Sequence, residues 1–130
     1  MHQGSATPEE IYRFIFGEID TVPHLEALLL LWNSRPKKWS EEELSQRLFI
    51  TASAVAEVMQ DLVRRNLIAA ETSSRQYWYE FRSEEKERLI EGTARAYQSE
   101  LIRISTLIHS KASSAVREFA RAFKITKQKE

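Results

Sequence analysis

The chain contains no cysteine. That excludes disulfides, thiolate metal sites and thiol catalysis, and it suits a reducing compartment. Glycine and proline are scarce, three of each, which points to a mostly helical protein with short connections. Long apolar runs are absent too. The longest, Leu25 to Trp32, is interrupted by Glu26 and is too short to span a bilayer. No basic segment followed by an apolar stretch is seen at the N-terminus, so no signal peptide is read and a cytoplasmic protein is expected.

Net charge is missing as well, with 19 Lys and Arg against 19 Asp and Glu. A compact DNA-binding domain usually carries a basic excess, because phosphate contacts supply much of its affinity. The basic residues concentrate in the tail, at Lys111, Arg117, Arg121, Lys124, Lys127 and Lys129, whereas acids outnumber bases from Ser40 to Arg82. No glycine-rich phosphate loop is found. Ser110 beside His109 is not a nucleophile pair, since adjacent helical residues point apart. His2, His24 and His109 are scattered, and no pair has metal-ligand spacing. No catalytic centre, metal or cofactor is therefore expected, and the chain is not read as an enzyme.

What is present is a succession of well-marked helices in a chain of 130 residues, 42% hydrophobic and 29% charged, enough for one domain with a core. Thr7-Pro8-Glu9-Glu10 is a helix start with a capping box, followed by Ile11, Phe14 and Ile15 on one face. Pro23 opens a second helix through about Asn33, whose stripe of Leu25, Leu28, Leu29 and Trp32, broadened by Leu30 and Leu31, makes it central. Ser40 and Glu43 form another capping box, with Leu44 and Leu48 facing inward. A third helix runs from about Ala52 to Arg65, with Val55, Val58, Met59 and Leu62 inward. Asn66 suits a left-handed helix end. Leu67 to Ala70 and Gln76 to Arg82 read as two strands of a hairpin around a polar turn. Alternation places Tyr77, Tyr79 and Phe81 on one face, and Gln76, Trp78 and Glu80 on the other. Trp78 is a candidate rim of a ligand pocket or an interface, or simply a covered strand aromatic.

Ser83 starts a last long helix. Ile90, Ala94, Tyr97, Leu101, Ile104 and Ile108 are spaced as a coiled-coil seam. A continuous helix from Ser83 to His109 would be roughly 40 Å long at about 1.5 Å per residue, more than a small body could cover. The seam therefore reads as a homodimerisation surface, with packing against the first helix as the alternative. A weak helical stretch from Ser110 to Ser114 is expected to break it. Phe119 and Phe123 then lie one turn apart among Arg117, Arg121 and Lys124. They suggest a docking element for a protein partner or a membrane surface, or ordinary packing.

Helix, helix, turn, helix, strand, turn, strand is the winged-helix order. The segment from Ile50 to Ile68 resembles the helix-turn-helix core of MarR-like and related winged-helix regulators. Ile50 and Thr51 precede the third helix, Val55, Met59 and Leu62 lie inside it, and Asn66-Leu67-Ile68 stands where the pattern has a Gly-Leu-Ile exit. The fold class implied is mainly α with a small β-hairpin wing, followed by a long C-terminal dimerisation helix. Residues 1–22 form an arm and leading helix, 23–82 the winged helix, and 83–130 the dimerisation helix with its basic tail.

The resemblance further implies that the third helix enters the major groove of double-stranded DNA. Its outward positions are Ala52, Ser53, Ala54, Ala56, Glu57 and Gln60. Arg47, Arg64, Arg65 and Arg75, with Lys37 or Lys38, would meet the backbone, Arg75 from the wing tip. The helix departs from a strong reader: it offers Ser53 and Gln60 beside alanines and a carboxylate, where Arg, Lys, Asn or Gln would pair with base edges. Two functions follow, a homodimeric DNA-binding transcription regulator or a winged helix given over to protein contacts.

Overall fold

The computed structural model describes residues 4–110. Helix α1 (Pro8–Glu18) begins at Thr7, whose side chain and that of Glu10 form a reciprocal capping box that satisfies two donors at the helix start. Helix α2 (Val22–Asn33) is capped by Thr21 and buries His24, Leu25, Ala27, Leu28, Leu29, Leu31 and Trp32. It is apolar nearly all round because it lies in the middle of the molecule. Strand β1 (Trp39–Ser40) leads into α3 (Glu41–Leu48), where Ser40 and Glu43 form the second capping box. Helix α4 (Ala52–Arg64) is capped by Thr51 and buries Val55, Val58, Met59 and Leu62. Strands β2 (Ala69–Glu71) and β3 (Gln76–Trp78) form the wing, and α5 (Glu84–Ser99) follows from the cap at Ser83.

Leu44, Val55, Met59 and Leu62 are all fully buried, and α4 packs across α3 and α2. This is the helix-turn-helix the sequence predicts. Asn66 adopts the left-handed conformation, φ 62°. The Leu67 amide donates to the Leu62 carbonyl and the Asn66 amide to Val63, a paired closure of orphan carbonyls that requires a residue tolerating positive φ. Leu67 and Ile68 then enter the core.

The sheet has three strands rather than two, in the order β1-β3-β2, all antiparallel. Trp39 pairs with Tyr77 and Ala70 with Tyr77 on its other side. A strand of two residues leaves no alternation to detect, so it leaves no mark in the sequence pattern. The second wing strand also ends at Trp78, short of the expected Arg82. Beyond it the expected burial pattern lapses: Tyr77 and Tyr79 are buried, but Phe81 is exposed. Trp78 is half-buried. Its indole N–H donates to Glu80, and the Lys38 ammonium sits 4.3 Å from its ring centre.

The last helix is not continuous, and the break expected from Ser110 to Ser114 lies, beyond Ser110, outside the described residues. It breaks at Glu100, with φ −133° and ψ 45°, and residues 101–110 are helical again, here α6. The Tyr12 hydroxyl donates to the Glu100 carboxylate at 2.8 Å, and the Glu100 carbonyl accepts the Ile104 amide. Glu100 thus ends one helix while its carbonyl starts the next. A straight helix would hold the whole seam on one face, and the break divides it. Ile90, Ile104 and Ile108 are buried within the chain's own core, whereas Leu101 and Ile102 are exposed. Helix α5 packs on α1, with Arg88 bonded to Glu10 at 2.9 Å, and its Tyr97 bonds Glu26 of α2 at 3.1 Å. Phe119, Phe123 and the basic tail lie outside the described residues.

Candidate nucleic-acid interface

Helix α4 has one apolar face, taken up by the core, and one free face. The free face carries Ser53, Glu57 and Gln60, all exposed, with Ala54 and Ala56 half-exposed beside them. Thr51 fixes the start of this face, because its hydroxyl accepts the Ala54 amide at 3.1 Å and lies 3.3 Å from the Ser53 hydroxyl. The wing stands beside α4, and between them runs an open groove of about 530 Å³. Gln60 and Arg64 line it from the helix, Arg75 and Tyr77 from the wing, and Glu41 from the start of α3. Three of the expected DNA-contacting residues, Gln60, Arg64 and Arg75, thus share one groove.

Arg75 sits in the wing turn with φ 53°, a left-handed position that projects an exposed guanidinium from the tip. Two acids face these cations. Arg75 lies 3.9 Å from Glu41, and Arg64 is bonded to Asp61. The Tyr77 hydroxyl donates to Glu41 at 2.8 Å. Burial first, and this hydrogen bond second, push the Tyr77 phenol up to about 12, so it remains a donor at neutral pH. Glu41 is the groove residue that sequence reasoning missed. It stands in the first turn of α3, and the β1–β3 pairing brings it against Tyr77 and Arg75.

Arg47 is not part of this groove. It borders a second hollow of about 420 Å³ between α2, the end of α3 and α5, beside Phe49 and Tyr97, and its guanidinium lies 5.9 Å from the Trp39 ring centre. Lys37 is 3.7 Å from Glu43. Sequence spacing had also left His24 unassigned. The structure buries it at the start of α2, 2.8 Å from the Asp61 carboxylate on α4.

A fold search over solved structures finds two similar chains. One is the YusO protein from Bacillus subtilis, 20% identical, covering 89% of this chain and 83% of that one, with a TM-score of 0.50. The other is the multiple antibiotic-resistance repressor (MarR) from Listeria monocytogenes 4b F2365. It is 16% identical, covering 90% of this chain and 81% of that one, with a TM-score of 0.50. The chain has a MarR-like winged-helix fold. No protein-family model matches the sequence, and no curated protein matches it closely enough to count as a relative. At such identities the likeness speaks for the fold alone, because one fold hosts many functions. Within the winged helix, α3 and α4 are the helix-turn-helix and β2–β3 the wing. Among the described residues no helix is long and apolar enough to cross a membrane.

Proposed function

We propose that the protein is a DNA-binding transcription regulator acting as a homodimer, with α4 in the major groove and the wing against the phosphate backbone. The observation that carries this reading is the groove itself: Gln60, Arg64 and Arg75 line one open channel beside the free face of α4. A helix laid in a major groove presents such a face to base edges, while the flanking cations meet phosphates. Gln60 suits adenine, and Glu57 can accept from the cytosine amino group. Arg64 and Arg75 exchange their present partners, Asp61 and Glu41, for phosphates. Both guanidinium groups are mostly solvent-exposed, so the exchange needs only side-chain rotation. These internal ion pairs make the free protein a modest electrostatic attractor, in keeping with its zero net charge. Specificity then rests on few direct contacts.

Self-association would use the C-terminal helices. Leu101 and Ile102, at the break between α5 and α6, are exposed apolar residues, and Ala94 and Tyr97 are only partly covered. Two copies joined there would offer two α4 helices to a two-fold site.

The test is selection of bound fragments from sheared genomic DNA, followed by anisotropy titrations at several salt concentrations. Wild-type protein is expected to retain a discrete set of sites. Arg75→Ala and Arg64→Ala are each expected to lower the slope of log affinity against log salt by about 0.9. Sedimentation of Leu101→Glu/Ile102→Glu is expected to show a monomer. Failure to retain any fragment at low salt would remove the DNA reading.

A further inference from the structure

Three donor groups, Asp20 and His24 four positions apart and Asp61 from further along the chain, meet at the junction of α2 with α4. Asp20 lies in the short link after α1, His24 in the first turn of α2, and Asp61 in the second half of α4. One donor atom from each lies within 4.8 Å of the other two. The His24 Nε2 is 2.8 Å from Asp61 Oδ2, and its side chain is 9% exposed. On the far side of the ring, Nδ1 is 2.6 Å from the Thr21 hydroxyl.

We infer that Asp20, His24 and Asp61 form a binding site for a divalent transition-metal ion of the zinc type, placed to tie the recognition helix to α2. One imidazole and two carboxylates are donors that such ions accept, leaving a fourth position for water. Ligand atoms about 2.1 Å from a tetrahedral ion lie about 3.4 Å apart. The present separations therefore require shifts of roughly an ångström or less from most of the donors, within reach of side-chain rotation. Thr21 supplies the outer partner such a site needs. With Nδ1–H donating to the Thr21 hydroxyl, the lone pair of Nε2 is directed at the ion, and the ring is held in that orientation.

The local charge has to rearrange, and the structure provides for it. Arg65 bonds both Asp20 oxygens at 3.2 Å, but it also donates to the Gly17 carbonyl at 3.0 Å and lies 3.8 Å from Glu18. It keeps those partners when Asp20 turns to the ion. Arg64 is bonded to Asp61, yet its side chain is 70% exposed, so it swings into solvent. Arg64 also lines the groove between α4 and the wing. Occupancy of the site would thus free a guanidinium there. The site stands independently of the DNA reading, since none of its three donors lines the groove.

The experiment is titration of metal-free, untagged protein with Zn²⁺ by calorimetry, and with Co²⁺ by visible absorption, which reports coordination geometry. Expected are one ion per chain, a Kd in the low micromolar range or tighter, and intense Co²⁺ bands of a four-coordinate site. Mg²⁺ at the same concentrations should not bind, because it favours octahedral oxygen donors. Asp20→Asn, in the link between α1 and α2, and Asp61→Asn should each weaken Zn²⁺ at least about 10-fold, and His24→Gln about 100-fold. Circular dichroism confirms that each variant is folded, and Asp20→Asn decides the matter if His24→Gln is not. His2→Gln/His109→Gln should bind as wild type. The proposal is overturned if wild-type protein binds no Zn²⁺ below about 100 µM. It is also overturned if Asp20→Asn and Asp61→Asn bind unchanged, or if the His2/His109 variant loses the ion.

Discussion

Replacing Gly92 by alanine sets two effects of similar size against each other, and the α1–α5 contact decides between them. Gly92 lies inside α5, where alanine is favoured over glycine by about 0.8–1.0 kcal/mol. A methyl group there would lie 2.9 Å from Ile11 Cδ1, 3.2 Å from Ile11 Cγ1 and 3.2 Å from Ala6 Cβ. Ile11 is buried in the core, and overpacking of this kind costs about 1–3 kcal/mol. The net expectation is a loss of about 1 kcal/mol, or about 3–5 °C in Tm for a chain of this size. Ile11→Val alone should also lose about 1 kcal/mol. It removes the Cδ1 atom that the new methyl meets, so the double variant should return to within about 0.5 kcal/mol of wild type. The predicted coupling is about 2 kcal/mol, measured by urea unfolding of the four proteins followed at 222 nm. A stabilised Gly92→Ala, or a double variant equal to the sum of the singles, would refute the claim that α5 rests on α1 through this contact. Gly17 is the control, because nothing lies within 4 Å of a methyl placed there. Gly17→Ala should gain about 0.5–1 kcal/mol from helix propensity.

Two further outcomes follow from the core and from the charged contacts. Leu62→Ala should lose about 3–5 kcal/mol by chemical denaturation, since the side chain is fully buried between α4 and its neighbours and leaves a cavity. Acid unfolding should report the α1–α5 ion pair. The Glu10 carboxyl is held below its ordinary value of 4.5, first by the hydrogen bond from Arg88 and then by the Thr7 amide. A depressed folded value gives stability that is complete above the unfolded pKa and is lost as pH falls through the folded one. Glu10→Gln should therefore flatten the acid limb of the stability curve below pH 4.5. An unchanged limb in a pH series of denaturant melts would contradict it.

The sequence by itself determined the helices, their caps and the helix-turn-helix core. Thr7 with Glu10 and Ser40 with Glu43 close their boxes as read, Asn66 takes the left-handed position, and Val55, Met59 and Leu62 point inward. Such features are legible because their causes are local: a cap bonds a residue three positions on, and a buried stripe repeats with the helical period. The tertiary structure alone decided what depends on partners far along the chain. Strand β1 exists because Trp39 meets Tyr77, and Glu41 enters the groove through Tyr77 and Arg75. The break at Glu100 divides a seam that spacing makes continuous, beside a bond from Tyr12, 88 positions away. His24 gains Asp61 from 37 positions away. Periodicity records which face of an element is apolar but not what comes to lie against it, and those meetings are fixed only when the helices pack.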